Sequence, residues 1–483
     1  MSLRRTKIVA TLGPATSSPE KIAELIAAGM NVARLNFSHG SADEHRRRAR
    51  LVREIAEENG QHVALLGDLQ GPKIRIGRFT EGRIELDVGD KFRLSTVHDL
   101  EQGNSDIVGL DYPDLVTDCR AGDELLLDDG RVVLQVESVG RDEVRCRVTV
   151  GGPLSNNKGI NRRGGGLSAA ALTDKDRNDI NLAAELNMEY VAVSFPRDAA
   201  DMHLARKLLR DAESEAWLIA KIERAEAVAD DAVLDGLIQA SDAVMVARGD
   251  LGVEIGDAEL VGIQKHIISR ARKQNKLVIT ATQMMESMIS SPMPTRAEVS
   301  DVANAALDYT DAVMLSAETA AGDYPVEAVR AMDRVCRGAE KHPTSQKSGH
   351  RLYQKFDRCD ETIALAAMYA GNHFPGVTAI ITLTESGFTP LIMSRIRSHL
   401  PIFALSPNTL TLGRVALYRG VQAIPFNPAD MPSSDINQQA VNKLLEGGYV
   451  QPGDWVILTK GDVYNSRGGT NSMKLLHVGE PLV

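Results

Sequence analysis

Short runs of apolar residues alternate with longer amphipathic segments along residues 1–343. The runs are rich in β-branched residues, and a helical periodicity follows each of them. We predict strands at Lys7–Leu12, Asn31–Phe37, His62–Asp68, Tyr190–Phe195, Trp217–Ile222, Asp242–Ala247, Leu277–Ala281 and Asp311–Leu315. Eight such units match the count of an α/β protein with a closed (β/α)8 TIM barrel, although the period alone does not exclude an open doubly wound sheet.

Between the third and fourth strands the period changes. Residues 71–168 alternate apolar and polar side chains, with Gly and Asp turns such as Asp129-Gly130. That pattern is typical of antiparallel hairpins and predicts an inserted all-β domain. Because active sites of such barrels lie at the C-terminal ends of the strands, we interpret the insertion as a lid. The alternative is an insertion without a catalytic role.

A second α/β pattern follows the barrel. Residues 342–354 are polar and typical of a linker. Further strands are predicted at Thr378–Leu383, Ile402–Leu405, Gln422–Pro425, Trp455–Leu458 and Met473–His477. We therefore predict a barrel catalytic domain at 1–70 and 169–343, a lid domain at 71–168 and a C-terminal α/β regulatory domain at 357–483.

The composition is that of a soluble globular protein. Apolar residues make up 43% and charged residues 25%, and the net charge is −10. An acidic balance argues against general nucleic-acid binding. The four cysteines form no C-x-x-C pair, and neither a signal peptide nor a membrane span is evident. We predict a cytoplasmic protein without disulfides.

Polar and charged side chains lie at the ends of four predicted barrel strands. In a strand, residues i and i+2 point to the same face. This spacing relates Arg34, Asn36 and Ser38; Lys221 and Glu223; Arg248 and Asp250; and Thr280 and Thr282. A single charged pair of this kind is often a structural ion pair, whereas four sets at one rim predict an active site.

Two carboxylates in this set suit a divalent cation. Glu223 and Asp250 offer the oxygen ligands that Mg²⁺ prefers. Positive charge is supplied by Arg34, Lys73, Arg75, Lys221 and Arg248. A metal beside converging cations is what phosphoryl transfer requires. No P-loop motif is present, and the glycine run 164–166 is more typical of a flexible hinge than of a phosphate loop.

Longer motifs in the chain resemble those of the pyruvate kinase family. They are ARLNFSHG (33–40), GDLQGPKIRIG (67–77), IAKIERAEAV (219–228) and a block from VARGDLGVEI to MLSAETAAGDYP (246–325). The resemblance covers the chain from end to end. It implies transfer of a phosphoryl group from phosphoenolpyruvate to ADP, giving pyruvate and ATP, with Mg²⁺ or Mn²⁺, in a homotetramer.

The resemblance also implies catalytic roles for matching residues. Glu223 and Asp250 would hold the metal. Lys221 would neutralise the phosphoryl group in transfer and the enolate left behind. Arg34 would contact the transferring phosphate, with Arg75 in support.

Further roles concern the substrate. Thr282 lies where the family protonates the enolate carbon, through a water or a proton relay. The substrate-binding set implied by the resemblance is Arg34, Lys221, Gly249, Asp250 and Thr282.

Asn36, Ser38 and Asp68 match the monovalent-cation pocket of the family. Many members carry an acidic residue at the position of Lys73 and a Thr at the position of Leu69. An ammonium group there supplies the charge otherwise provided by K⁺. We therefore expect that K⁺ is not required; a solvated lysine without this role is the alternative.

The segment LTESGFT (383–389) resembles the effector phosphate loop of the family. Thr384, Ser386, Gly387 and Thr389 offer hydroxyl and backbone N–H donors to a phosphate. A second phosphate near Glu385 would meet like charge. We therefore expect a sugar monophosphate or AMP as activator rather than fructose-1,6-bisphosphate, with a helix that binds no ligand as the alternative.

Two other functions remain open from the residues. A Mg²⁺-dependent lyase or aldolase would use the same carboxylates on an enolate. A catalytically silent sensor of sugar phosphates would need only the C-terminal domain. The presence of Lys221, Glu223, Asp250 and Thr282 argues against the sensor.

Overall fold

The computed structural model describes residues 3–346, 354–429, 431–462 and 468–480. Residues 347–353 of the predicted linker lie outside the described residues. The strands are β1 Lys7–Leu12, β2 Val32–Asn36, β3 Ala64–Asp68, β4 Arg83–Leu86, β5 Lys91–Ser95, β6 Ile107–Gly109, β7 Glu124–Leu127, β8 Val132–Val139, β9 Glu143–Val150, β10 Gly152–Ser155, β11 Ile160–Arg162, β12 Tyr190–Val193, β13 Trp217–Ile222, β14 Ala243–Ala247, β15 Leu277–Ala281, β16 Ala312–Leu315, β17 Val377–Leu383, β18 Ile402–Ser406, β19 Val421–Pro425, β20 Trp455–Gly461 and β21 Thr470–His477.

The helices alternate with these strands. They are α1 Pro19–Ala28, α2 Ala42–Glu58, α3 Leu115–Asp118, α4 Asp174–Glu185, α5 Ala199–Asp211, α6 Glu226–Ala229, α7 Asp231–Ala240, α8 Arg248–Ile255, α9 Asp257–Lys273, α10 Arg296–Leu307, α11 Ala317–Ala320, α12 Pro325–Glu340, α13 Cys359–His373, α14 Phe388–Ser394, α15 Thr409–Val415 and α16 Ile436–Glu446. Every described helix is too short or too polar to cross a membrane.

Eight strands close into a barrel in the order β1-β16-β15-β14-β13-β12-β3-β2. In the parallel pairing of β1 with β16, Lys7 lies opposite Ala312. The strand residues are buried almost throughout, as expected for a barrel that is filled inside and covered by helices outside. The closed barrel confirms the predicted fold and excludes the open sheet.

Local sequence signals fix several element boundaries. Ser18 caps α1 by accepting a hydrogen bond from the Lys21 N–H, with Pro19 in the first turn. Thr295 and Glu298 form a reciprocal capping box at the start of α10. All eight barrel strands lie within two residues of their predicted bounds.

The inserted segment forms two sheets around its own core, and its strand pairs are antiparallel except for the parallel pair of β5 and β6. One sheet has the order β10-β4 and the other β11-β7-β8-β9-β5-β6. Between β7 and β8, Asp128, Asp129 and Gly130 all have positive φ angles, as the predicted hairpin turn requires. Apart from the single turn of α3, the predicted all-β architecture is confirmed.

The C-terminal domain contains a five-stranded sheet of order β19-β18-β17-β20-β21. Strands β17 to β20 run parallel to their neighbours, and β21 is antiparallel to β20. The strand order reverses between β17 and β20. In open α/β sheets this reversal marks the usual ligand-binding crevice, at the carboxyl ends of the strands.

Contacts group the chain into two compact units. The first comprises Met1–Gly67, Glu185–Tyr190 and Ala271–Val483, and the second comprises Asp68–Ala184 and Val191–Arg270. The second unit holds the inserted sheets, β13, β14 and several predicted site residues. The domain boundaries given from the sequence stay predictions.

Candidate active site

Lys221 is the centre of a charged cluster in the second unit. Its ammonium lies 2.9 Å from Glu223 Oε1 and 3.3 Å from Asp68 Oδ1, and it donates a 2.7 Å hydrogen bond to Ser194 Oγ. The Lys221 side chain is 12% exposed, and the two carboxylates are nearly fully buried. The predicted pairing of Lys221 with Glu223, two positions apart at the end of β13, is present.

Glu223 is held from a second side by backbone. The N–H of Phe195 donates to its Oε2 at 2.8 Å, and Phe195 has a φ of 54°. A positive φ in a bulky residue is strained and tends to persist where surrounding contacts fix it. Burial raises the pKa of Glu223; the Lys221 ammonium opposes this and the Asp250 charge adds to it. The carboxylate therefore depends on nearby cations to stay ionised.

Asp250 is paired with a residue of the segment that follows β3. Lys73 Nζ lies 3.4 Å from Asp250 Oδ1. Within the described ranges there is no group of three or more His, Cys, Asp or Glu side chains that would hold a metal alone. Two carboxylates, Glu223 and Asp250, nevertheless fit Mg²⁺, which takes one or two protein carboxylates and completes its shell with water and substrate oxygens.

The strand-parity argument is wrong for two of the four sets. Strand β14 ends at Ala247, so Arg248 and Asp250 lie in the first turn of α8, where residues two apart point in different directions. Thr282 follows the end of β15 with a φ of 64°. Its backbone is left-handed, so Thr282 and Thr280 are not related by extended geometry.

Four residues of the predicted barrel site, Arg34, Asn36, Ser38 and Thr282, lie in the first unit. Arg34 donates to Thr11 Oγ1 at 2.9 Å, and Ser38 N–H donates to Asn36 Oδ1 at 3.1 Å. The Thr282 hydroxyl donates to the carbonyl of the preceding residue at 2.7 Å. The neighbouring residue in sequence, Gln283, also has a positive φ.

Two further predicted residues lie in the second unit. Arg75 donates to the Asn157 carbonyl at 3.0 Å, inside the inserted domain. Gly249 lies in the first turn of α8, between Arg248 and Asp250. Arg248 is buried and lies 3.5 Å from Gln264 Oε1.

The predicted effector loop connects β17 to α14. Gly387 has a φ of 78°, and its N–H donates to Thr384 Oγ1 at 3.0 Å. The Thr389 hydroxyl lies 2.8 Å from that of Thr470. Thr411 Oγ1 donates to the Glu385 carbonyl at 2.7 Å. The loop therefore lies at the carboxyl end of β17, beside the point of strand-order reversal.

Sequence reasoning missed two residues near the barrel site: one contacts Lys221, and the other lies on the helix of Asp250. Ser194 follows β12, accepts from Lys221 and donates to the Leu69 carbonyl at 2.7 Å. A polar residue just after a buried strand was the signal that would have found it. Glu254 is buried in α8, and burial raises its pKa to about 7, with hydrogen bonds from Ala225 N–H and Asn161 opposing the shift. No local pattern marks it.

Comparison with known proteins gives the family. The model "Pyruvate kinase, barrel domain" matches residues 3–329, and "Pyruvate kinase, alpha/beta domain" matches residues 361–476. Pyruvate kinase II of Salmonella typhimurium is 60% identical over 476 residues, covering 99% of both chains. Pyruvate kinase of Haemophilus influenzae is 57% identical over 459 residues, covering 95% of this chain and 96% of the relative. Pyruvate kinase of Corynebacterium glutamicum is 41% identical over 485 residues, covering 99% and 98%. The chain therefore belongs to the pyruvate kinase family.

Proposed function

We propose that this protein transfers the phosphoryl group of phosphoenolpyruvate to ADP, giving pyruvate and ATP. The observation that carries the proposal is the Lys221 ammonium held between Asp68 and Glu223. A fixed cation in a largely buried site is suited to the negative charge that develops during phosphoryl transfer. Full-length similarity to pyruvate kinases supports the same reaction and gives no support to the lyase or aldolase alternative.

A coupled assay for pyruvate tests this proposal. With phosphoenolpyruvate and Mg²⁺ present, pyruvate should form only when ADP is added, and ATP should form in equal amount. Pyruvate formation that is independent of ADP would contradict the proposal and favour a lyase or phosphatase.

Glu223 and Asp250 are the proposed ligands of a divalent cation, Mg²⁺ or Mn²⁺. Their oxygens lie beside the ammonium groups of Lys221 and Lys73, respectively. Bound there, the metal would supply charge stabilisation to substrate oxygens. Arg34 and Gly249 would bind the substrate, and Arg75 would support Arg34.

Lys221 is assigned to the negative charge that develops on the enolate, and Thr282 to the proton that this enolate takes up. The phosphoryl group leaves the enol oxygen of phosphoenolpyruvate for a β-phosphate oxygen of ADP, and Lys221 stabilises the enolate that remains. That enolate then takes a proton at its methylene carbon. Thr282 is proposed to position this proton, directly or through a water. Its strained φ of 64° supports this role, because strained backbone is common at functional sites.

Asn36, Ser38 and Asp68 are proposed to form the monovalent-cation pocket, with Lys73 supplying charge in place of K⁺. The support is that the Lys73 ammonium lies 3.4 Å from Asp250, a proposed metal ligand. A permanent cation at the site removes the need for a bound one.

A phosphorylated activator is proposed to bind the loop with Thr384, Ser386, Gly387 and Thr389. The support is the position of this loop beside the strand-order reversal, where α/β sheets usually bind ligands. The Glu385 charge favours a single phosphate, as in a sugar monophosphate or AMP, over fructose-1,6-bisphosphate. We also propose a homotetramer and a cytoplasmic location, by analogy with the family; all four cysteines are free thiols, which suits a reducing compartment.

A further inference from the structure

Glu254 lies at the C-terminal end of α8, the helix whose first turn carries Asp250. Its side chain is 4% exposed. Burying a carboxyl group to this extent costs folding free energy unless its oxygens take part in hydrogen bonds. The hydrogen-bond partners of Glu254 therefore indicate its role. They belong to two other segments of the second unit.

The first partner is the segment that follows Glu223. The backbone N–H of Ala225, two residues after Glu223, donates to Glu254 Oε2 at 2.8 Å. Glu254 thus joins the helix of one proposed metal ligand, Asp250, to the backbone that carries the other. A shift of either element would break this bond.

The second partner is the end of the inserted domain. Asn161, on β11, donates from Nδ2 to Glu254 Oε1 at 3.3 Å. The N–H of Gly164 donates to the Glu254 backbone carbonyl at 3.0 Å. One residue therefore accepts hydrogen bonds from the inserted domain, through both its side chain and its main chain, and from the Glu223 segment.

The glycine run at residues 164–166 makes this approach possible. All three glycines have positive φ angles, of 79°, 78° and 95°. Such angles are rare for residues with a Cβ, and the Gly166 N–H donates to the Glu226 carboxylate. The Arg224 guanidinium donates to the Leu167 carbonyl at 2.8 Å. The segment 224–226 and the chain that leaves the inserted domain are thus joined at several adjacent points.

We propose that Glu254 is a positioning residue for phosphoryl transfer: it couples the inserted domain to the segment bearing Glu223, so that the placement of the domain sets the placement of the metal-binding carboxylate. The inference rests on the proposed function. It also gives the glycine run a role: its left-handed backbone carries the N–H groups that bond the Glu254 carbonyl and the Glu226 carboxylate.

Three variants of the full-length protein test the coupling. Glu254→Ala removes both side-chain acceptors, Glu254→Gln keeps an acceptor for Ala225 N–H and a polar group facing Asn161, and Glu259→Ala is a matched control at an exposed glutamate on α9. We expect Glu254→Ala to lower kcat by about 10- to 100-fold, the effect of a small misplacement of reacting groups. Glu254→Gln should recover most of that loss, and Glu259→Ala should match the unsubstituted protein.

Amide hydrogen exchange provides a readout that does not depend on activity. In Glu254→Ala, the amides of Gly164 and Ala225 should exchange faster, while those of β17, in the C-terminal domain, should be unchanged. Asn161→Ala should speed exchange at Gly164 more than at Ala225. In a double-mutant cycle, the effects of Glu254→Ala and Asn161→Ala on kcat should be less than additive.

Each outcome bears on the proposal. It is overturned if folded Glu254→Ala keeps the unsubstituted kcat, if exchange is accelerated uniformly across the protein, or if Glu254→Gln is as impaired as Glu254→Ala while equally folded. If the unsubstituted protein makes no pyruvate from phosphoenolpyruvate and ADP, the proposed function has failed. In that case the exchange pattern at Gly164 and Ala225 still decides whether Glu254 couples the two segments.

Discussion

At the scale of single residues, the Lys221 ammonium is held in place by three neighbours. Asp68 and Glu223 lie 3.3 and 2.9 Å from its ammonium, and Ser194 accepts a hydrogen bond from it. An ammonium beside two buried carboxylates is favoured in its charged form. The side chain is therefore fixed in position by contacts within the protein, and a fixed group of this kind is what electrostatic catalysis requires.

Replacing Lys221 with Met should remove most turnover. The charge that develops in the transition state would lose a fixed cation, which corresponds to a drop in kcat of about 10²- to 10³-fold or more. The change also leaves Asp68 and Glu223 buried without their partner, so circular dichroism must first show that the variant is folded. Lys175→Met, at an exposed site on α4, is the control. A folded Lys221→Met enzyme with normal kcat would contradict the assigned role.

Replacing Lys73 with Glu should make the enzyme dependent on K⁺. The unsubstituted protein is expected to be fully active in tetramethylammonium buffer at saturating Mg²⁺, because the Lys73 ammonium already supplies positive charge beside Asp250. Rates with and without K⁺ measure the effect, and Lys91→Glu, exposed on β5, is the control. Strong K⁺ activation of the unsubstituted protein would show that Lys73 does not take the place of K⁺.

At the scale of secondary structure, much of the fold could be predicted from the sequence because local signals coincide with tertiary ones. Strands β1, β13 and β15 have their predicted bounds, since buried parallel strands are continuous apolar runs with turn residues at their ends. Helix α8 could not be predicted to begin at Arg248, because Ala247 precedes it without a capping side chain. The predicted strand ends correctly at Ala247, but its side-chain parity was wrongly extended to Arg248 and Asp250.

The same contrast applies to the candidate site. Lys221 and Glu223 are two positions apart at one strand end, so periodicity alone brings them together. Ser194 and Glu254 join the site through contacts between residues 27 to 93 positions apart in sequence. Such contacts are set by how elements pack, and no local pattern of residues contains that information.

The loop between β17 and α14 should respond to monophosphates more strongly than to bisphosphates. AMP and glucose 6-phosphate are expected to shift the phosphoenolpyruvate saturation curve to lower concentration, and fructose-1,6-bisphosphate to shift it less, because a second phosphate would meet Glu385. Glu385→Lys should increase the response to the bisphosphate. Glu446→Lys, exposed on α16, is the control. A stronger response of the unsubstituted protein to the bisphosphate would contradict this expectation.

At the scale of the molecule, the buried carboxylate of Glu340 connects the start of the chain to the last barrel helix, within the first unit. Glu340, the last residue of α12, accepts hydrogen bonds from Arg5 N–H at 2.9 Å and Thr6 N–H at 2.6 Å. The Arg419 guanidinium of the C-terminal domain lies 3.7 Å from the same carboxylate. Burial opposes ionisation, but Arg419 and the two backbone donors outweigh it and lower the pKa of Glu340.

Replacing Glu340 with Gln should destabilise the protein by about 3–5 kcal/mol, because it leaves buried arginines without their anion. The difference in unfolding free energy between Glu340→Gln and the unsubstituted protein should also depend on pH. A carboxyl whose pKa is lowered by folding stabilises the protein above its unfolded pKa, which is near 4.5, and loses that contribution as the pH falls through the folded value. The variant should therefore differ most from the unsubstituted protein at neutral pH and progressively less in acid.

Urea unfolding at about pH 7 and about pH 3.5 measures both effects. Glu327→Gln, at a half-exposed position of the same helix, is the control, and its stability should be close to that of the unsubstituted protein. An equal difference between Glu340→Gln and the unsubstituted protein at both pH values would exclude an ionised Glu340 as the stabilising species.

The register of β1 against β16 has a consequence for how the protein is made. Lys7 and Ala312 lie side by side in the sheet, although nearly the whole barrel sequence separates them. On the ribosome, a nascent chain must therefore carry β1 with one edge open until β16 has emerged from the exit tunnel. Open strand edges are prone to pair with other chains. Chaperone capture during translation should accordingly persist until that late strand is released, and chains truncated before it should aggregate.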